Sequence, residues 1–320
     1  MMQVKPLTSL IIEPTNTCNL RCTFCFVTEG MTRKEGFMDF GLFRKVIDDS
    51  PGLEHLCMHN WGEPLLHKEI FRMFDYAHEA GIKYIVMNTN GTLLTDKMIG
   101  RIIDSPLNII RFSIDGSAET FERIRGVELE KIERNIIRLK NEKEKHRPDL
   151  SIGVVFTVEE ETQEDVDPFI GHWESIVDHV RMQPKLIQSP RDEPCPEPFG
   201  KDYGKLVVLW DGTVLPCCVD YNASLKLGNA LQDSVQDLWR GREIERLRAQ
   251  HEKGEYPDVC INCNECKTSK TKKRFFFEDV NFKKETIQKT PKKNGGTKKR
   301  PKKRQEKNAN FLKMRKKRLN

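Results

Sequence analysis

The feature that most constrains this chain is the stretch CNLRCTFC (Cys18–Cys25), three thiols within eight residues just beyond the apolar run Leu10–Ile12. Thiols this close together point to metal or redox chemistry rather than to packing. The other cysteines are grouped too: Cys195, Cys217 and Cys218, then Cys260, Cys263 and Cys266. Cys57 stands alone in Leu56–Met58 and reads as a small, buried strand residue. No apolar run reaches membrane-spanning length, and the N-terminus lacks a basic-then-apolar signal pattern, so a soluble, cytoplasmic protein is expected. In such a reducing compartment ten cysteines do not read as a disulfide framework.

Around the cysteines, strand and helix patterns alternate. Strands are expected at Leu10–Glu13, His55–His59, Lys83–Asn88, Asn108–Ile114, Ser151–Val158 and His179–Gln183. Amphipathic helices such as Lys68–Glu79 and Leu129–Lys145 lie between them. Six strands joined by right-handed helical crossovers make a parallel sheet that can curl into an arc of a barrel. Polar residues recur on one face only. Arg111, Ser113 and Asp115 oppose Ile110, Phe112 and Ile114; Arg181 and Gln183 oppose Val180 and Met182; His59 shares its face with Cys57. A doubly wound sheet buries both faces and would be apolar throughout, so the one polar face predicts an interior that holds a polar ligand. Function on such a scaffold gathers at the C-terminal ends of the strands. There the sequence places Cys18–Cys25, Asn60–Pro64, Asn88–Gly91 and Ser113–Gly116.

Beyond Pro184 a proline-rich passage, Ser189–Gly200, reads as a linker. Lys205–Trp210 and Thr213–Leu215 flank Asp211-Gly212, the signal of a two-residue hairpin loop, and the hairpin delivers Cys217 and Cys218. A helix over about Val235–His251 then leads to CINCNEC (Cys260–Cys266). This segment is too short for an independent catalytic domain and suits a small, metal-stabilised α+β lobe. From Lys267 onward 22 Lys and Arg stand against 4 Asp and Glu, which leaves 32 basic and 44 acidic residues in the body. Such a tail cannot offset its ordering entropy and is expected to be disordered. Its charge would suit an anionic partner, RNA or a membrane surface, or would serve solubility alone. The expected α/β organisation is a partial (β/α)6 TIM-type barrel over residues 1–188, a small, cysteine-rich α+β lobe over 189–270, and a basic tail over 271–320.

Cys-x3-Cys-x2-Cys falls one ligand short of the four that zinc takes. It suits a [4Fe–4S] cluster with one iron left open; a zinc site recruiting a distant histidine is the other reading. Cys18-x3-Cys22-x-Phe24-Cys25 after a first strand resembles the signature of radical S-adenosylmethionine (radical SAM) enzymes. Gly62-Glu63-Pro64 resembles the GGEP motif of that family, with Trp61 in place of its first glycine. Thr89-Asn90-Gly91 and Ser113-Ile114-Asp115-Gly116 resemble the loops that line the ribose side of the cofactor. The resemblance covers about Ser9 to Pro184. It implies that Cys18, Cys22 and Cys25 hold a [4Fe–4S] cluster whose open iron takes the amino and carboxylate groups of S-adenosylmethionine. It also implies cofactor contacts from Gly62, Glu63, Pro64, Asn90, Ser113 and Asp115, with Glu63 on the amino group; from its residues alone Glu63 reads otherwise as a surface acid near a turn, and Asp115 equally as a turn cap. The implied chemistry is reductive cleavage to a 5′-deoxyadenosyl radical that abstracts hydrogen from an unactivated carbon, fed by a donor such as flavodoxin or ferredoxin.

The lobe resembles the SPASM/twitch extension behind many radical SAM barrels, in its shortened form, through Gly212-x4-Cys217, a cysteine upstream and a Cys-x2-Cys pair downstream. That implies a second, auxiliary [4Fe–4S] cluster on Cys195, Cys217, Cys260 and Cys263, with Cys218 and Cys266 surplus. A structural zinc on four of the six is the other reading. An auxiliary cluster with no open corner implies electron acceptance. The expected reaction is therefore a two-electron oxidation, as in the aminocyclitol dehydrogenases that turn a secondary alcohol into a ketone. A peptide- or protein-modifying maturase, and an RNA-binding or RNA-modifying protein using the tail, are the alternatives. His59, Arg181 and Gln183 are lumen-facing candidates for binding a small-molecule or peptide substrate, and no residue is assigned as the base.

Overall fold

The computed structural model describes residues 3–185, 193–200, 204–261, 263 and 279–281. Cys266 and, apart from 279–281, the tail expected to be disordered lie outside the described residues. The strands are β1 (Leu7–Ile12), β2 (His55–Cys57), β3 (Tyr84–Thr89), β4 (Ile109–Ser113), β5 (Ser151–Val158), β6 (His179–Pro184), β7 (Gly204–Val208), β8 (Thr213–Leu215), β9 (Gly228–Asn229) and β10 (Asp279–Asn281). The helices are α1 (Phe40–Asp48), α2 (Ile70–Glu79), α3 (Asp96–Asp104), α4 (Ala118–Arg125), α5 (Leu129–His146), α6 (Val166–Trp173), α7 (Val235–Trp239), α8 (Arg242–Lys253) and α9 (Asp258–Ile261). Among the described residues the strands form one sheet in the order β10-β6-β5-β4-β3-β2-β1-β7-β8-β9. β1 to β6 pair in parallel in chain order, with helices between them, which is the expected arc of a barrel.

Alternation along the strands separates the two faces as anticipated. Ile110, Phe112 and Ile114 are fully buried on the helix side, while Arg111 and Ser113 face inward and are half-buried. Leu56 takes the helix-side position of β2, so Cys57 turns inward as well. It is half-buried against Ile11 and Val207, on the inward face it was expected to share with His59. On the fifth strand a glycine serves its neighbours. Gly153 lies between Arg111 and His179 in the ladder, and a Cβ there would come within 2.3 Å of the His179 ring. The space lets His179 Nε2 accept from Arg111 Nε at 3.0 Å while Nδ1 meets Ser151 Oγ at 3.1 Å.

Local signals place α4, which follows the β4 loop. Ser117 caps its N-terminus by accepting from Thr120 N, and Gly126 ends it in the left-handed region at φ 71°.

Three expectations change in the second half, and one strand pairing joins them that the sequence did not announce. The expected helix over about Val235–His251 is two helices. Gly241 is the N-cap of α8, and Arg248 Nη2 donates to the Trp239 carbonyl that α7 leaves open. The β7–β8 loop has three residues, not two. Leu209 N donates to Thr213 O and Gly212 N to Leu209 O, with Gly212 at φ 85°, a turn followed by a left-handed glycine. The passage expected as a linker is packed where it is described: Glu197–Phe199 form a 3-10 turn with Pro198 and Phe199 buried. Finally, β7 pairs in parallel with β1, so the barrel sheet runs on into the cysteine lobe. No helix among the described residues is long and apolar enough to cross a membrane.

Candidate active site

The loop after β1 is drawn back on itself before it reaches α1. Thr15 Oγ1 donates to Gly36 O at 2.6 Å, and the Asn16 amide bridges Gly36 N and Lys34 O. Tight turns within it, Cys25 N to Cys22 O and Thr28 N to Cys25 O, bring Cys18, Cys22 and Cys25 to one wall of a cavity of about 660 Å³. Burial raises all three thiols above the usual range, Cys22 to about 11 despite the opposing charge of Arg125. Taking up a metal cluster there releases protons, since only thiolates ligate.

The next strand ends complete the lining. Gly62, Glu63, Asn90 and Ser113 line the cavity; Pro64 and Asp115 do not. Gly62 has φ 105°, and a Cβ there would lie 2.5 Å from Thr15 O, so this residue lets the second loop sit flush on the first. Glu63 is buried. Its Oε1 accepts from Leu65 N and Thr89 Oγ1 at 3.0 and 2.8 Å, and its Oε2 from Asn90 N at 2.7 Å. Burial raises its carboxyl, and these donors oppose that. Asn90 Nδ2 reaches Cys18 Sγ at 3.8 Å and Asn19 Oδ1 at 2.9 Å. Pro64 opens the short 3-10 turn behind Glu63.

Asp115 is neither a cavity contact nor a cap of its own turn. It holds Arg125 Nη2 at 2.6 Å and accepts from Thr157 N at 2.9 Å. Arg125 in turn directs Nη1 at Cys22 Sγ, 3.8 Å away. Sequence reasoning missed Arg125, whose only signal is its place in the last turn of the helix after Ser113–Gly116. It also missed the buried pair of Glu13 and Arg33, which Asn60 joins through Glu13 Oε2.

His59, Asn88, Thr157 and Gln183 also line the cavity. Burial, with the charges of Arg111 and Arg181, pushes His59 down to about 3. Its Nδ1 accepts from Asn88 N at 3.2 Å, so Nε2 carries the proton of the neutral ring. Gln183 Nε2 donates to Thr157 Oγ1 at 3.2 Å. Arg181 lies on the inward face of β6 but does not line this cavity.

The structure brings the second cysteine set together around a separate, small cavity: Cys195, Cys217, Cys260 and Cys263 all line it. His251 stands beside it, with Nδ1 accepting from Cys195 N at 3.1 Å. Cys218 does not share that cavity; it lines the first one. Its contact with Cys217 helps to raise the Cys217 thiol, together with burial. Among the described residues no three of these groups close on the single point that one metal ion would need; the thiols ring a space instead. A larger groove, about 810 Å³ between α3 and α5, contains none of the expected site residues.

Comparison with known proteins identifies relatives of the chain. Residues 12–171 match the model of the radical SAM superfamily, and residues 200–264 that of an iron–sulfur cluster-binding domain, SPASM. A tungsten-containing aldehyde ferredoxin oxidoreductase cofactor-modifying protein of Pyrococcus furiosus is 33% identical over 47% of this chain; the match spans 44% of that relative, less than half its length. The S-adenosyl-L-methionine-dependent 2-deoxy-scyllo-inosamine dehydrogenase of Niallia circulans is 25% identical over 79% of this chain and 91% of the relative. A crystal structure of BtrN in complex with AdoMet and 2-DOIA shares the fold, with a TM-score of 0.59 and 20% identity over 82% of this chain and 94% of that one.

Proposed function

The chain belongs to the radical SAM superfamily, as an S-adenosylmethionine-dependent enzyme with an iron–sulfur cluster-binding domain behind its barrel, and from that premise we propose that it oxidises a secondary alcohol of a polar small molecule. One observation carries the reading: Cys195, Cys217, Cys260 and Cys263 share a cavity that Cys218 does not line. Four thiolates leave no open corner, so that site suits an electron acceptor rather than a second substrate site. Cys18, Cys22 and Cys25 would hold the cluster that binds the cofactor, and the other four the auxiliary cluster. When bound, these groups supply one-electron cleavage of S-adenosylmethionine and a sink for the second substrate electron.

The residues of the chain bind and orient. Glu63 Oε2 has one hydrogen bond from Asn90 N and an accepting position left for a cofactor ammonium. Arg125 offsets thiolate charge at Cys22. The neutral ring of His59, Asn88, Ser113, Thr157 and Gln183 suits a ligand rich in hydroxyl groups. His59, with its proton on Nε2, would donate to a substrate oxygen instead of acting as the base. Similarity to the Niallia circulans dehydrogenase over most of both chains supports an alcohol substrate. An electron donor such as flavodoxin or ferredoxin would complete the cycle.

The test uses the anaerobically reconstituted, reduced protein with a panel of cyclitols deuterated at the carbinol carbon, alongside peptides deuterated at Ser and Cys Cβ. Deuterium in 5′-deoxyadenosine, with one carbonyl per S-adenosylmethionine consumed, is expected from a cyclitol. Transfer from the peptides alone would replace this reading with peptide modification.

A further inference from the structure

Two loops that serve different cysteine sites are fastened to each other by a cluster of aromatic and polar side chains. The turn after Cys217 is itself stiff: the Asp220 carboxylate accepts from Ser224 N, Ser224 Oγ and Leu225 N at 2.7–2.9 Å. From this turn the Tyr221 ring lies flat on Phe26, with centroids 4.1 Å apart and planes 8° from parallel. Trp61 stands edge-on to both rings, at 5.6 and 6.1 Å. Its indole Nε1 donates to Cys218 O at 3.0 Å.

Polar tethers flank the rings. The Asn222 amide accepts from Thr32 N and donates to Gly30 O, both at 2.8 Å. Arg33 donates Nε to Tyr221 O at 2.7 Å while its fork holds Glu13. The ring contacts and the Trp61 hydrogen bond end beside site residues. Phe26 follows Cys25, Trp61 precedes Gly62-Glu63, and Cys218 follows Cys217. The Trp61 that departs from the GGEP pattern thus has a structural partner across the lobe boundary.

We propose that this three-ring clamp couples the two cysteine sites, so that the occupancy of the auxiliary site sets the affinity of the first site for S-adenosylmethionine. Filling the cavity at Cys217 fixes the position of a turn whose Tyr221 and Asn222 hold the loop from Phe26 to Arg33. Leaving it empty frees that loop and, through Trp61, the backbone that presents Glu63. Such coupling is reciprocal, so S-adenosylmethionine in turn steadies the auxiliary site. The inference rests on reading both cysteine sets as cluster sites.

A double-mutant cycle on the full-length, anaerobically reconstituted protein tests it, with iron per chain and the dissociation constant for S-adenosylmethionine measured for each variant. Cys260→Ser/Cys263→Ser empties the auxiliary site from its far side; Tyr221→Leu/Asn222→Ala breaks the clamp. About four irons in the first and about eight in the second are expected. Each should bind S-adenosylmethionine about tenfold more weakly than wild type, and the combined variant no more weakly than either. Tyr221→Phe, which keeps the ring, should retain wild-type affinity. Unchanged affinity in the four-iron variant, or effects that multiply in the combined one, would overturn the coupling. About four irons in the wild type would overturn the cluster reading itself.

Discussion

Cys217 and Cys218 are neighbours in the chain that face different cavities, the first toward Cys195, Cys260 and Cys263 and the second toward the space under Cys18, Cys22 and Cys25. The proposed reading makes Cys217 a ligand of the auxiliary cluster and Cys218, although in contact with it, a bystander. Cys217→Ala should lose about four irons after anaerobic reconstitution, and Cys218→Ala should lose none. Equal losses would mean that the two exchange roles.

The pair of Arg125 and Asp115 is almost wholly enclosed, with side chains 9% and 0% exposed. Removing one member strands a charge out of water. Asp115→Ala should lower unfolding free energy by about 3–5 kcal/mol in anaerobic denaturant titrations. The double variant Asp115→Leu/Arg125→Leu should cost less than Asp115→Ala alone, since no charge is stranded.

Glu63 accepts three hydrogen bonds from two strand-end loops. Gln in its place keeps the shape but turns one acceptor into a donor that faces another donor. Glu63→Gln should retain wild-type iron content and bind S-adenosylmethionine roughly 10–100-fold more weakly, as one to two lost charge-assisted bonds imply. Wild-type affinity would remove Glu63 from the cofactor site.

The depressed His59 sets an acid-side slope. Burial and then Arg111 and Arg181 hold it neutral down to about pH 3 in the folded state, whereas the unfolded chain takes up that proton near pH 6.5. Its contribution is complete above pH 6.5 and is lost as pH falls toward 3. Between pH 7 and pH 5 wild type should lose about 2 kcal/mol through this one group, and His59→Gln should lack that part of the slope. Identical slopes in the two proteins would place the titration elsewhere.

Local pattern made much of this legible. β5 and β8 lie where apolar runs put them, at Ser151–Val158 and Thr213–Leu215, the second beside the Asp211-Gly212 turn signal; both are buried at nearly every residue. β1 begins at Leu7, upstream of the apolar run, because its partner is Gly204, almost two hundred residues away. Spacing marked Cys18, Cys22 and Cys25, which lie within one loop, whereas Cys195, Cys217, Cys260 and Cys263 are far apart in the sequence and share a cavity only in the fold. The support around them did not announce itself. Arg125 meets Cys22 across 103 residues and Arg33 meets Tyr221 across 188, so only the folded chain brings them together. Trp61 stood out in the sequence as a departure and becomes intelligible once Phe26 and Tyr221 surround it.

The most direct test of the account needs no substrate. Anaerobically reconstituted protein is reduced with dithionite in the presence of S-adenosylmethionine, and 5′-deoxyadenosine is quantified for the wild type and for Cys22→Ala. The account predicts 5′-deoxyadenosine and methionine in equal amounts from the wild type and none from Cys22→Ala. A wild type that carries its full iron and forms no 5′-deoxyadenosine would contradict it.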